Sequence, residues 1–186
     1  SGCAFLALGV WMELNYFYYI GWAIAVSLLA FENSLVRADD LPEFLDYMKA
    51  FSYQPLPPGN RIGVVTFSGA NGVMASDELR DHGFELAHFT DSTLKRIQEF
   101  LPPWQPPSHP LDLWAALGAG NRLVHEEGIL SVLNDENTDA VLVILLALSN
   151  ADFDGMRDIY QAARQQQPHK PVFTVILGGA VKQKWL

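Results

Sequence analysis

A single cysteine, Cys3, in 186 residues leaves no internal disulfide and no cysteine-built zinc site. One thiol without a disulfide framework fits a reducing compartment, so a cytoplasmic setting is expected. Positive charge is scarce too: 12 Lys and Arg against 21 Asp and Glu give a net charge of -9. Such a surface repels nucleic acid, and no basic stripe with interleaved aromatics offsets it. The five histidines, His82, His88, His109, His125 and His169, show no metal-ligand spacing, so no metal site is expected. No catalytic side chain is assigned, and neither an internal repeat nor a low-complexity tract is present.

Charge is nearly absent from one stretch. Between Cys3 and Phe31 the only charged residue is Glu13, and six aromatics crowd Trp11–Trp22. As one helix this stretch would run roughly 43 Å at 1.5 Å per residue, more than a bilayer core. Against a membrane span stand Glu13 and Asn15 inside it, aromatics at its middle rather than its ends, and no close Lys or Arg flank. A basic leader region is also missing. Residues 1–35 are therefore read as an apolar helical segment of open role, buried against the domain or a partner, with a membrane unlikely. Residues 36–59 hold an amphipathic helix and a stiff connector. Asp40 and Glu43 form a capping box, Pro42 sits in the first turn, and Leu41, Phe44, Leu45, Met48 and Phe51 share one face. The connector is Gln54-Pro55-Leu56-Pro57-Pro58-Gly59-Asn60.

From residue 60 to 186 strand and helix signals alternate. Strands are expected at Ile62–Phe67, Phe84–His88, Ala140–Leu146 and Pro171–Leu177. Helices are expected at Val73–His82, from Thr90 or Asp91 to Phe100, at Leu117–Leu133 and at Asp152–Gln166. Gly83 stops the first of these helices. The apolar run Ala140–Leu146 reads as a central parallel strand. The alternation predicts an α/β fold with a doubly wound parallel sheet and right-handed crossovers. Ligands of such sheets bind beyond the strand C-termini. The segments expected there are Ser68-Gly69-Ala70-Asn71-Gly72, the loop His109–Asp112, the segment after Leu146, and Gly178-Gly179. The first joins a buried strand to a good helix former and carries almost no side-chain bulk. Amides at a helix N-terminus suit a phosphate or carboxylate, although such turns also serve packing alone. It is neither GxGxxG nor a P-loop.

Five segments fall in an order that resembles a known family. They are Pro58-Gly59-Asn60-Arg61, Ser68-Gly69-Ala70-Asn71-Gly72-Val73, His109-Pro110-Leu111-Asp112-Leu113, Asp139-Ala140-Val141-Leu142-Val143-Ile144, and Lys170-Pro171-Val172 with Gly178-Gly179. Val36-Arg37-Ala38-Asp39-Asp40-Leu41 fits the run that precedes them. From Val36 to Trp185 the chain resembles the second flavodoxin-like domain of NDP-forming acyl-CoA synthetases, among them ADP-forming acetate–CoA ligase, with succinyl-CoA ligase more distant. The resemblance implies a flavodoxin-like (Rossmann-like) sheet. It implies an enzyme that interconverts acid, CoA and ATP with acyl-CoA, ADP and phosphate through a phosphorylated histidine. It assigns Ser68, Gly69, Ala70, Asn71 and Gly72 to phosphate or phosphohistidine contact. CoA, ATP or ADP and Mg belong to the complete enzyme; none is expected on this chain alone. CoA-binding and ATP-grasp domains or subunits are the implied partners.

Departures from the family pattern are concentrated at the expected ligand edge. Family members show Gly-Gly-Pro-Gly at the turn and Asn where His109 stands. The Ser-His-Thr-Gly segment before the amphipathic helix is missing, as are the usual last strand and helix, so a C-terminally truncated domain, inactive alone, is expected. His109 is read as a loop residue rather than a phosphoryl carrier. Asp112 is either a polar orienter or a helix cap. Other readings stand beside the ligase domain: the synthetase-like regulatory half of a protein lysine acetyltransferase, an FMN carrier and a membrane-tethered anion-binding module. For FMN, only Thr66 and Ser68 offer hydroxyls near the turn.

Overall fold

The computed structural model describes residues 38–118, 124–147 and 156–178. The apolar segment 1–35 and Gly179 lie outside the described residues. The chain divides into two units, Ser1–Ser52 and Tyr53–Leu186. The described part of the first unit is mostly helix α1, Leu41–Tyr53, none of whose residues is buried. Its capping is the one the sequence predicts: the Glu43 N–H donates to Asp40 Oδ1 at 2.8 Å, and Glu43 Oε2 accepts the Asp39 N–H at 2.6 Å.

The second unit is a parallel sheet with flanking helices. In chain order it runs β1 (Arg61–Thr66), α2 (Gly69–Asp81), β2 (Glu85–Leu86), α3 (Asp91–Gln98), β3 (Leu111–Asp112), α4 (Trp114–Gly118), α5 (Val124–Asn134), β4 (Ala140–Leu146), α6 (Met156–Gln166) and β5 (Val172–Leu177). The strand order is β2-β1-β4-β5. β2 and β3 share one flank of β1: Ile62 pairs with Leu86 near its start and Thr66 with Asp112 at its end. All pairings are parallel, from Ile62 opposite Ala140 to Leu146 opposite Leu177. β1 and β4 are the central strands, and their apolar side chains feed two cores. Val65, Val141 and Val143 pack with Ile129, Val132 and Leu133 of α5 on one side. Ile62, Val64, Ala140 and Ile144 pack with Ala75 and Leu79 of α2 on the other.

The N-terminal edge of the sheet is clamped by charge. The Arg61 guanidinium donates to both carboxylate oxygens of Asp139, at 2.9 and 2.8 Å, and the Arg61 N–H reaches Asp139 Oδ2 at 3.0 Å. Lys170 Nζ donates to the carbonyls of Leu133 and Asp135. Thr90 caps α3 through Thr93 N. Gly83, at φ 80, follows the end of α2 as expected.

Several boundaries differ from the sequence reading, β2 among them at Glu85–Leu86 rather than Phe84–His88. α2 begins at Gly69 rather than Val73, so Gly69 to Gly72 are its first turn. β3 lies inside the segment His109–Asp112, which is expected to be a loop. The helix expected at 117–133, for which the sequence allows a break at Gly118, Gly120 or Gly128, is described as α4 and α5, with residues 119–123 outside the described set.

Candidate functional site

β1 ends at the fully buried Thr66, and the hydroxyl of Thr66 fixes the turn. Thr66 Oγ1 accepts the Ser68 N–H at 3.0 Å and donates to the Ser68 carbonyl at 2.8 Å. The Phe67 N–H donates to Ile144 O and the Leu113 N–H to Thr66 O. The turn is thus held from β4 and from the end of β3. Ser68 is the N-cap of α2 in extended backbone, φ -155 and ψ 104, but its side chain caps no amide. Its Oγ instead accepts the Asn71 side-chain N–H at 2.7 Å.

The result is an open helix end. The Gly72 N–H donates to Ser68 O at 3.0 Å. Gly69, Ala70 and Asn71 precede the first helical hydrogen bond, and among the described residues their N–H groups have no acceptor. These three amides sit where the helix dipole is positive. Gly72 plays another part than the one expected for it. Its amide is taken, it is buried, and a Cβ there would meet Thr66 Cγ2 at 2.8 Å and Pro110 Cγ at 3.1 Å. Gly72 lets α2 lie against β1.

A shallow recess of about 330 Å³ opens at this end, lined by Phe67, Ser68, Gly69, Asp112, Trp114 and Leu146. Asp112 is one of these lining residues. Its Oδ1 accepts the Trp114 N–H at 3.0 Å. Its Oδ2 lies 2.9 Å from where a Gly69 Cβ would stand. One oxygen therefore serves the turn into α4 and the other faces the amide-bearing helix end. The His125 ring stacks on Phe67 with centroids 4.3 Å apart. Only the packing of α5 on β1 reveals this place for His125.

His109 and Gly178 do not join this group. The His109 ring tilts against Phe89 at 4.4 Å and His88 at 5.3 Å, and its Nδ1 is buried without a partner. Burial, with the nearby His88, lowers its pKa below the ordinary histidine value. Gly178 follows β5 at φ 150, where a Cβ would press on the Ala147 carbonyl at 2.9 Å. Among the described residues no group of three His, Cys, Asp or Glu could hold a metal, and no helix is long and apolar enough to cross a membrane. With the Thr66 hydroxyl spent on the backbone, an FMN phosphate loop loses one of its two hydroxyls.

No protein-family model matches the sequence. Curated proteins do. The chain is 36% identical over 126 residues to acetate–CoA ligase [ADP-forming] II of Archaeoglobus fulgidus, covering 66% of this chain and 19% of that protein. It is 30% identical over 156 residues to the alpha subunit of acetate–CoA ligase [ADP-forming] II of Pyrococcus furiosus, covering 82% and 33%. The chain is related to the NDP-forming acyl-CoA synthetases. The solved acetyl-coenzyme A synthetase 1 of Ca. Korarchaeum cryptofilum, in complex with phosphate and ADP, superposes with a TM-score of 0.70 at 26% identity, over 87% of this chain and 35% of that one. A crystal structure from Pyrococcus horikoshii gives 0.71 at 28%, over 84% and 36%. The chain thus spans about a fifth to a third of the length of these synthetase relatives, and the parallel α/β sheet expected from the alternation is their fold.

Proposed function

We propose that the chain is one domain of an NDP-forming acyl-CoA synthetase and that the N-terminus of α2 holds the phosphoryl group during its transfer. The observation that carries this is the open helix end: three amides, Gly69, Ala70 and Asn71, without acceptors at the C-terminal edge of a parallel sheet. Such amides stabilise charge on a transferring phosphoryl group without reorganising. The recess fits an oxyanion of that size. Among the described residues no Lys or Arg lines it, so the amides are the donors on which this reading rests. In this reading Mg, nucleotide and CoA are held by partner domains, which supply the activation chemistry.

Asp112 bears on which phosphate species binds. A free phosphate dianion beside Asp112 Oδ2 meets a second negative charge. A phosphoryl group carried on an imidazole brings an N–H donor for that oxygen, so amides and carboxylate are both satisfied. We read Asp112 as the orienter of a phosphohistidine from a partner domain. That a relative was solved with phosphate and ADP supports the anion assignment.

The test is reconstitution. The 186-residue chain alone should form no acyl-CoA from acid, CoA and ATP in a coupled assay. Joined with CoA-binding and ATP-grasp domains it should turn over, and Ala70→Pro, which deletes one free amide, should lower kcat at least tenfold. Sustained thioester formation by the chain alone, or full activity in the Ala70→Pro enzyme, refutes the reading.

A further inference from the structure

A second recess, of about 310 Å³, opens between α6, the start of β5 and the side chain of Gln54. It stands at the N-terminal edge of the sheet, away from the open end of α2. Arg157, Arg164 and Lys170 line it, and among the described residues no Asp or Glu does. That is unusual in a chain of net charge -9. Arg61, Arg80 and Arg96 each hold a carboxylate. Arg157 and Arg164 have no ion-pair partner among the described residues. They are seven positions apart on α6, two helical turns, so their stems leave the helix on one face roughly 10 Å apart.

The rest of the recess is fixed rather than flexible. Lys170 Nζ is anchored on two carbonyls, at 3.0 and 2.7 Å, which leaves its third N–H. Burial lowers the Lys170 pKa, against the pull of Asp135 and Asp139, so an anion in the recess would favour its charged form. The Gln54 amide pairs with the backbone of Val172, donating to its carbonyl at 3.1 Å and accepting its N–H at 3.3 Å. The Tyr160 hydroxyl is committed to Thr174, so Tyr160 offers a ring face.

We propose that this recess binds a small polyphosphorylated molecule. Guanidinium groups match phosphate oxygens in bidentate fashion. Two of them two helical turns apart need more than one phosphate group to be used together. The concave shape, with an aromatic wall, suits a small molecule better than a flat protein face. This site does not rest on the α2 reading, since the two lie at opposite edges of the sheet and one is built of amides, the other of side chains.

The experiment titrates the 15N-labelled 186-residue chain with sodium tripolyphosphate at constant ionic strength. The expected shifts fall on the Nε–H groups of Arg157 and Arg164 and the side-chain amides of Gln54 and Gln161. Orthophosphate should bind this recess at least tenfold more weakly. The double variant R157Q/R164Q should lose at least tenfold in tripolyphosphate affinity with its melting temperature unchanged, both arginines being exposed. Unchanged affinity in that variant, or shifts confined to the amides of Gly69 to Asn71, overturns the proposal. So does equal binding of a glutamate peptide of the same net charge, which would make the recess a contact for an acidic protein.

Discussion

Replacing Ala70 by proline tests the amide site with little disturbance of the fold. Ala70 is exposed and is the second residue of α2. Its N–H precedes the first helical hydrogen bond, so proline removes no bond of the helix, and its fixed φ suits a first turn. The melting temperature should therefore correspond to a stability change within about 1 kcal/mol. A hydrogen bond to a charged group contributes about 1.5–3 kcal/mol, and every 1.4 kcal/mol is tenfold in affinity. Phosphate binding to the 186-residue chain, followed by NMR titration, should weaken by about 10- to 150-fold. Ala70→Gly keeps the amide and should bind as the parent does. Asp112→Asn provides the opposite sign. Its Oδ1 can still accept the Trp114 N–H, while the carboxylate charge that faces the helix end disappears. For unit charges about 6 Å apart in an open, water-filled recess the repulsion is roughly 0.7–1.4 kcal/mol, so free phosphate should bind about 3- to 10-fold more tightly. A phosphate affinity in Ala70→Pro within twofold of the parent, on a folded chain, refutes the site.

At Gly63 a Cβ would overlap Val132 and press on Thr138, so Gly63→Ala should cost about 1–3 kcal/mol in chemical denaturation; paired with Val132→Ala the two losses should sum to less than their separate values. Acid unfolding should depend on Asp139 and Asp135. The Arg61 guanidinium lowers the Asp139 pKa, and hydrogen bonds from Thr93, Thr90 and Asn137 outweigh burial to lower that of Asp135. Folded pKa values below the unfolded ones mean stability present above about pH 4 and lost as pH falls through the folded values. Asp139→Asn should therefore be less stable at pH 7 yet lose less between pH 5 and pH 2, read from urea midpoints.

What the sequence made legible follows the strength of its patterns. β4 is recovered with its expected bounds because seven consecutive apolar residues, Ala140 to Leu146, admit few other readings in an alternating chain. The start of α2 is missed by four residues for a physical reason. Glycine has low helix propensity, so Gly69-Ala70-Asn71-Gly72 reads as loop. Small residues are required there by approach: Gly72 clears Thr66 and Pro110, and Gly69 clears Asp112. β3 is two residues long and exists through pairing with the end of β1; no local pattern encodes a bridge of that kind. His109 and Asp112 read as one loop site because they are close in sequence. His109 stands in a bend before the two-residue β3, while Asp112 is the last residue of that strand. Asp112 reaches the helix end while His109 turns onto Phe89 and His88.

The segments that carry the family resemblance divide by place in the sheet. Arg61, Asp139 and Lys170 work at the N-terminal edge, where they close backbone and charge. Ser68 to Gly72 and Asp112 stand at the other edge. The departure at the turn falls at that second edge, where a change of side chain would ordinarily cast doubt on the chemistry. An amide site answers differently, because its donors belong to the backbone. Aligning the family's Gly-Gly-Pro-Gly on Gly72 puts its proline at Asn71, the third residue of α2. That position carries an N–H no helical acceptor can use. Proline there costs the helix nothing and deletes one donor; asparagine keeps the donor and ties its side chain to Ser68 Oγ. The free amides of Gly69 and Ala70 are common to both patterns. The proposed anion site therefore rests on the retention of these amides rather than on a match of side chains.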